Sequence, residues 1–276
     1  TMPDRFQLVA DEGNRLTNPG FETGELSDWT GTGTVGTAYK DDFQGGQYGV
    51  KDPDIYQDFP AIPGVTFDAR CRAKAITSGS TAYISMSFLD ASKNVLSTVN
   101  DNYQPSTTNW SSVPYLEPLS GTTPANTAYV RIRIYHSGSI MIDNATCTLA
   151  KVKLGTDYAP FIYGTVPRAE CCEQVKIETE ITNQSKAQVT VQVRINGEVK
   201  STASSSSDPA KISTTIDVRS YEQDLNIVVY AKADTADSAT WNAAAIYQNQ
   251  RLPLRAVQPL YAVTNTAQAS CREACE

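Results

Sequence analysis

Apolar and polar residues alternate along much of the first half of the chain. From Val65 to Ala73 every second residue is apolar, and the residues between them are mostly charged. Residues 83–89 and 129–135 repeat this alternation. A period of two with one apolar side is typical of a half-buried antiparallel sheet. We therefore predict a β domain whose core receives Phe67, Ile84, Met86, Ile132 and Ile134.

The alternation resumes in the second half, after residues 153–169. This intervening segment contains Gly and Pro residues, which predict a linker. Beyond it, the pattern predicts strands at residues 175–181, 189–195, 212–218 and 225–233. The dipeptide Asn196-Gly197 predicts a tight hairpin turn. Residues 236–250 fit a short helix or a strand, and we favour a strand.

These patterns predict an all-β chain with two domains. The length of 276 residues agrees, because one domain typically takes about 100–200 residues. Strand number and spacing predict an immunoglobulin-like β-sandwich for the second, smaller domain. The predicted organisation is an N-terminal arm (1–13), a first β domain (14–152), a linker (153–169), a second domain (170–262) and a Cys-containing C-terminal tail (263–276). The arm and the tail are candidates for contacts between subunits.

Composition and charge exclude several classes of protein. The chain is 40% hydrophobic and 19% charged, which supplies packed cores and argues against disorder. Its formal net charge of −7 argues against a nucleic-acid partner. No apolar run approaches the roughly 20 residues of a membrane span. The first residues lack the basic and apolar regions of a signal peptide, so we expect a signal already removed or no export by that route.

The cysteines are candidates for disulfides because their number is even. The chain has six of them: Cys71, Cys147, Cys171, Cys172, Cys271 and Cys275. Disulfides from Cys171 and Cys172 to Cys271 and Cys275 would fix the tail to the start of the second domain. Cys71 and Cys147 either pair with each other or remain small buried apolar residues. The alternatives to disulfides are free thiols or a zinc site formed by Cys171, Cys172, Cys271 and Cys275. Disulfides would indicate an oxidising location outside a cell or on a released particle.

Two ends of the first domain carry a family resemblance. Residues 16–24 read LTNPGFETG and are followed by Ser27-Asp28-Trp29. Residues 128–134 (AYVRIRI) and 140–144 (IMIDN) form the far end. With these motifs, residues 14–152 resemble carbohydrate-binding modules that have a galactose-binding-like jelly-roll fold. The resemblance implies a jelly-roll β-sandwich and a polysaccharide or cell-surface glycan as partner.

The resemblance also implies a structural calcium site. In such modules a carboxylate of the opening turn approaches one of the closing strand, and carbonyl oxygens complete the shell that Ca²⁺ requires. The matching residues are Glu22 and Asp143, and Asp41, Asp42 or Asp52 would add a ligand. In the alternative interpretation Glu22 caps the turn and backbone N–H groups hold Asp143. Trp29 either closes the sandwich as a core residue or offers a platform for a sugar.

The polar side of the alternating strands is the candidate ligand face. Aromatic rings stack on the C–H faces of sugars, planar polar groups bond their hydroxyls, and the resembled family binds ligands on this concave face. The candidate residues are Arg70, Arg72, Tyr83, Arg131, Arg133 and Tyr135. Because Tyr and Arg are also enriched in protein interfaces, a protein contact is the alternative, and an outward face without a specific partner is another.

The sequence offers no clear catalytic motif. His136 is the only histidine, and nucleophile elbow, phosphate loop and zinc motifs are all missing from the sequence. We therefore predict a non-catalytic carbohydrate-binding or adhesive surface protein. The alternative is a structural component of a virion or extracellular filament, such as a capsid decoration or fibre protein, assembling through its β domains, arm and tail. Either function places the chain outside a cell or on a virion surface.

Overall fold

A computed structural model of the chain describes residues 5–43, 45–103, 109–110, 118–168 and 172–250. These residues form two compact units. One unit spans Gly13–Ala150, and the other combines the described residues up to Glu12 with those from Lys151 onward. Strands dominate both units, and the described residues contain no α-helix and one short 3-10 helix, Thr37–Tyr39. No described helix is long and apolar enough to cross a membrane.

The first unit is a jelly-roll β-sandwich in which one long strand joins both layers. Its strands are β2 (Thr30–Gly36), β3 (Gly49–Pro60), β4 (Thr66–Ala75), β5 (Thr81–Leu89), β6 (Val95–Tyr103), β7 (Leu119–Thr122), β8 (Tyr129–Ser137) and β9 (Ile140–Leu149). Strand β3 pairs with β8 through residues 55–60 and with β9 through residues 50–51. The strand order is therefore β6-β5-β8-β3-β9-β4-β7, with β2 on β3.

The two layers pack face to face at the predicted core. A Cβ placed on Gly121 of β7 would lie 2.8 Å from the ring of Phe88 and 3.1 Å from Met86 Sδ, both on β5. Phe59 and Phe67 meet edge to face with ring centroids 5.4 Å apart. The five predicted core residues, Phe67, Ile84, Met86, Ile132 and Ile134, are all buried, so that prediction is confirmed.

The opening turn anchors the sandwich through two aromatic residues. Phe21 is fully buried, and its ring centroid lies 5.7 Å from that of Trp29. Trp29 is only 6% exposed, and its indole Nε1 donates a hydrogen bond to the Asn18 carbonyl at 3.1 Å. With its ring buried and its polar atom satisfied inside the turn, Trp29 is a core residue and not a platform for a ligand.

The candidate disulfide between Cys71 and Cys147 is not formed. Cys147 is a buried thiol, and burial raises its pKa well above the usual range. It lies opposite Ala69, which makes Cys71 a diagonal neighbour on β4. Diagonal Cα atoms are about 7–8 Å apart, whereas disulfides usually need less than about 6.8 Å. Cys147 therefore behaves as the small buried apolar residue of the alternative interpretation.

The described residues of the second unit form two four-stranded sheets, ordered β1-β16-β11-β14 and β10-β15-β12-β13. Its strands are β1 (Arg5–Asp11), β10 (Ala159–Val166), β11 (Cys172–Thr182), β12 (Val189–Ile195), β13 (Glu198–Ser205), β14 (Ala210–Asp217), β15 (Leu225–Ala233) and β16 (Thr240–Gln250). Phe161 and Trp241 stack in its core with ring centroids 4.1 Å apart. Asn196 and Gly197 have φ values of 52° and 83°, as the predicted hairpin turn requires. The immunoglobulin-like subtype stays a prediction.

Two segments predicted to lie outside the domains are strands of the second unit. Most of the predicted arm forms β1, which pairs with β16 from Arg5↔Gln250 to Asp11↔Ala245. The predicted linker contains β10, which pairs with β15. Pro160 and Gly164 suggested a break there, but Pro160 lies beside a β-bulge, where a strand tolerates proline. The predictions of an arm and a linker were therefore wrong for these residues. The strand that we favoured within residues 236–250 is confirmed by β16.

The other cysteine predictions concern Cys171, the side chain of Cys172, Cys271 and Cys275. They lie outside the described residues, as do the predicted tail (263–276) and the last part of the predicted second domain (251–262). Disulfide or zinc bonding by these four cysteines stays a prediction.

Candidate functional site

Strands β3, β8 and β5 lie side by side and present a polar outer face, which we call the first-domain face. Tyr83 on β5 is opposite Tyr135 on β8, and Arg133 on β8 lies between Ser85 and Tyr56. The register brings these residues together because the residues alternating with them, such as Ile132 and Ile134, fill the core.

One end of the first-domain face is a stack of two tyrosines and an arginine. The rings of Tyr83 and Tyr135 have centroids 4.8 Å apart and planes 11° from parallel, and Arg133 Cζ lies 4.7 Å from the Tyr135 centroid. Arg133 also donates two hydrogen bonds to Asp54, from Nε at 3.0 Å and from Nη2 at 3.1 Å. The ion pair is half exposed, at 46% and 51% for the two side chains, so its outer edges are open to a ligand.

The other end of the face is built on Asp58. Arg131 donates to both oxygens of Asp58, at 2.7 and 3.0 Å, and Lys93 donates to Oδ2 at 2.8 Å. Burial alone would raise the pKa of Asp58, but the hydrogen bonds from Arg131 and Lys93 outweigh it and hold that pKa below its usual value. The same hydrogen bonding to Asp58 raises the pKa of Arg131. Arg131 Cζ lies 4.1 Å above the ring of Tyr56, which fixes the guanidinium plane.

This arrangement provides rigid, planar groups that both donate and accept hydrogen bonds. Each arginine is oriented twice, by a bidentate carboxylate and by an aromatic ring, so little rotamer freedom remains to be lost on binding. Sugar hydroxyls pair well with such planar groups, and ring C–H groups pack on exposed aromatic surface.

The structure brings together four of the six predicted ligand residues and separates the other two. Tyr83, Arg131, Arg133 and Tyr135 share the first-domain face. Arg70 and Arg72 lie on β4, which pairs with β9 and β7 in the other layer. Arg72 is buried and ion-paired with Asp41, so assigning these two arginines to the same face was wrong. Alternation shows which side of a strand is polar but not which layer the strand joins.

Sequence reasoning missed the contribution of β3 to the face. Asp54, Tyr56 and Asp58 alternate with the more buried Ile55, Gln57 and Phe59, which is the same signal that identified β5 and β8. The signal was present in the sequence and would have supplied the acidic partners of both arginines.

The two residues of the implied calcium site lie in one electrostatic cluster. Glu22 accepts hydrogen bonds from Gln47 N at 3.0 and 2.8 Å, and Asp143 accepts one from Asp41 N at 2.8 Å. Burial, together with the negative charges of Asp41 and Glu22, raises the pKa of Asp143 to about 6 against the opposing effect of its backbone hydrogen bonds. Backbone N–H groups therefore hold both carboxylates, as the alternative interpretation expects, and a calcium ion at this cluster stays a prediction.

The charges of this cluster fit a bound cation, although the side-chain ligands are few. Arg72 pairs with Asp41, which leaves the charges of Glu22 and Asp143 without a described cationic partner. The Nδ2 atom of neighbouring Asn144 is buried without a hydrogen-bond partner among the described residues, but as a hydrogen-bond donor it cannot ligate a cation. Within the described part of the chain, no three His, Cys, Asp or Glu side chains form a metal-binding group. A calcium ion would therefore need carbonyl or water oxygens in addition to the two carboxylates.

No family model matches the chain, and no curated protein matches it. Solved structures do show similarity. The enzymatically active domain of bacteriophage CBA120 tailspike protein 4 is 20% identical over 50% of this chain and 21% of that chain, with a TM-score of 0.41. TmCBM61, in complex with β-1,4-galactotriose, is 22% identical over 50% of this chain and 99% of its own, with a TM-score of 0.36.

The tandem CBM22 modules of Paenibacillus barcinonensis Xyn10C are 8% identical over 88% of this chain and 100% of that chain, with a TM-score of 0.38. The chain thus spans about a fifth of the tailspike domain's length and nearly all of the two module structures. Carbohydrate-binding modules recur among the structures similar to this chain.

Proposed function

We propose that the chain is a saccharide-binding protein and that a glycan binds on the first-domain face. The observation that carries the proposal is the Tyr83–Tyr135 stack beside the exposed Arg133–Asp54 pair. This end of the face combines aromatic surface with planar donors and acceptors, both of which saccharides need. The proposal places the protein outside a cell or on a virion surface, where glycans are encountered.

The protein binds its glycan without cleaving it. A glycosidase needs a protonated carboxylic acid next to a second carboxylate. On the first-domain face, Asp58 has a lowered pKa because of Arg131 and Lys93, so it is a poor proton donor. Asp54 accepts hydrogen bonds from two nitrogens of Arg133, Nε and Nη2. His136 lies off this network, with Nδ1 2.8 Å from the Gly138 carbonyl oxygen.

We further propose that a structural calcium ion joins the opening turn to β9 through Glu22 and Asp143. The ion would supply positive charge between two carboxylates that otherwise repel each other. Its role is to stabilise the jelly roll, because the cluster lies on β9 and the opening turn and not on the first-domain face.

Binding of the whole chain to a panel of neutral and charged oligosaccharides, measured by calorimetry, tests the proposal. We expect Tyr135→Ala and Arg133→Gln to weaken binding at least tenfold, which is about 1.4 kcal/mol. Arg70→Gln is the matched control, because it removes the same charge from the other layer and should leave affinity unchanged. Thermal melting verifies that each variant is folded.

Three results would contradict this function. If no glycan binds while the chain forms defined oligomers, a structural role in a virion or filament is favoured. If Arg70→Gln weakens binding as much as Arg133→Gln, the site lies elsewhere. If the protein releases reducing sugar from a bound glycan, and an Asp54→Asn variant does not, the protein is an enzyme.

A further inference from the structure

The second unit has an aromatic and cationic face of its own, which we call the second-domain face. It is the outer side of β10, β15 and β12, and the inner side of the same strands buries Ile162, Val191 and Val229. The register places Tyr230 opposite Gln192 and Lys232 opposite Thr190. Tyr163 faces outward on the neighbouring strand β10. Arg194 lies on the same outer side of β12 as Gln192.

Two cations on this face lie over tyrosine rings. Arg194 Cζ is 4.3 Å from the centroid of Tyr230, and Lys232 Nζ is 4.7 Å from that of Tyr158. Arg194 Nε also donates to Gln192 Oε1 at 2.7 Å, which fixes the direction of the guanidinium. All of these side chains are partly exposed, so the face is formed but open to solvent.

The second-domain face differs from the first-domain face in its charge. On the first-domain face, Arg131 and Arg133 are each bound by an aspartate. In the described part of the chain, neither Arg194 nor Lys232 forms an ion pair with a carboxylate. None of the outward residues of β10, β12 and β15 is Asp or Glu. In a chain with a formal net charge of −7, this is a locally positive surface.

We propose that the second-domain face binds an acidic saccharide, a sugar chain that carries carboxylate or sulfate groups. Arg194 and Lys232 supply charge for the anionic groups, and the arginine fork matches the planar geometry of a carboxylate. Tyr163 offers aromatic surface for sugar C–H groups, and Gln192 offers an amide for hydroxyls. Nucleic acid fits less well, because its affinity depends on neutralising many phosphates and this face has two cations.

This proposal does not rest on glycan binding by the first domain, because it concerns another face of another domain. Calorimetry on the whole chain would use a galacturonate hexasaccharide as the carboxylated probe, a heparin hexasaccharide as the sulfated probe and a galactose hexasaccharide as the neutral control. The variants are Arg194→Gln and Lys232→Gln. The matched control is Lys211→Gln, which removes a cation from the other sheet of the same unit, where it pairs with Glu180.

We expect at least one acidic probe to bind more tightly than the neutral one, and its affinity to fall with added salt. Arg194→Gln and Lys232→Gln should each lower that affinity about fivefold or more, with Lys211→Gln within twofold of the parent chain. The inference is overturned if neither acidic probe binds, or if both face variants behave like Lys211→Gln. It is also overturned if poly-glutamate or double-stranded DNA binds as tightly as the acidic saccharides through the same residues.

Discussion

Tyr83 and Tyr135 lie directly opposite each other on β5 and β8, and their rings stack 4.8 Å apart on the solvent side of the sheet. Stacking on an outer face holds two large side chains upright without burying them in the core. Because Arg133 also lies against Tyr135, the three side chains restrict one another's rotamers. The proposed glycan would meet a surface that is already ordered, which would lower the entropy lost on binding.

The tyrosine stack should be measurable as a coupling energy in the absence of any ligand. Cross-strand aromatic pairs contribute about 0.5–1.5 kcal/mol beyond burial of their area. We therefore expect Tyr83→Ala and Tyr135→Ala to be less than additive by about 0.5–1 kcal/mol in a double-mutant cycle of urea unfolding. The pair Tyr83→Ala and Tyr163→Ala, on two different units, is the control and should be additive.

The buried ion pair of Arg72 and Asp41 should be sensitive to loss of either partner. Both side chains are almost fully buried, and Asp41 N also donates to Asp143. Removing Arg72 leaves the buried Asp41 carboxylate without its cationic partner, and breaking a buried pair in this way typically costs about 3–5 kcal/mol. We expect Arg72→Met to lower the free energy of unfolding of the first unit by that amount.

Lys74→Met on the same strand is the control for the Arg72 substitution, because Lys74 is only half-buried. It should change stability by less than about 0.5 kcal/mol. Equal effects of the two substitutions in chemical denaturation would show that Arg72 does not hold the acidic cluster.

Local pattern was sufficient to predict most strands and the inward residues of the first unit, but not the partners of those strands. Arg72 and Arg133 look alike in sequence, since both alternate with apolar residues on predicted strands. One is buried beneath a loop carboxylate and the other is half exposed, because β4 and β8 lie in different layers. Which layer a strand joins depends on long-range pairing that alternation does not encode.

The edge strand β1 was missed for a related reason. Phe6 and Leu8 of β1 remain exposed at the edge of the sheet. Two of the apolar residues that would identify a half-buried strand are therefore not buried. The partner of β1 is β16, more than two hundred positions away, and no local signal indicates such a pairing. The Glu22 and Asp143 pair was predicted only through the family resemblance, because no spacing rule links residues of the opening turn to the closing strand.

A bound calcium ion should be detectable through stability. We expect addition of a chelator to lower the melting temperature of the first unit by several degrees, since a ligand bound only by the folded state stabilises that state. Glu22→Gln and Asp143→Asn should abolish the response to the chelator. Asp90→Asn is the control, because Asp90 is outside the candidate ligand set and its carboxylate accepts hydrogen bonds from Ser92 N and Asn94 N in its own turn. No metal in the purified protein and no chelator effect would together exclude the ion.

The Arg131–Asp58–Lys93 network should make stability depend on pH in the acidic range. The folded-state pKa of Asp58 is lowered, so its contribution is complete above the unfolded value of about 3.9 and is lost as the pH falls through the lower folded value. We expect Asp58→Asn to destabilise the first unit by about 1 kcal/mol at neutral pH, since the pair is partly exposed. The difference from the parent chain should disappear on acidification, as measured by urea unfolding across a pH series. A constant difference at all pH values would contradict the assignment.

Gly164 should be required for seating β1 on the second unit. A Cβ added at Gly164 on β10 would lie 2.9 Å from Val9 Cγ1 and 3.0 Å from Ala10 Cβ, so β1 would have to shift. We expect Gly164→Ala to destabilise the second unit by about 1–3 kcal/mol, the usual range for overpacking. Gly155→Ala is the control, because a Cβ there would meet nothing closer than Asp157 N at 4.0 Å. In a chain that begins at residue 12, Gly164→Ala should no longer destabilise, because the strand it displaces is gone. If the substitution is equally harmful with and without residues 1–11, its cost arises within β10 and not at the contact with β1.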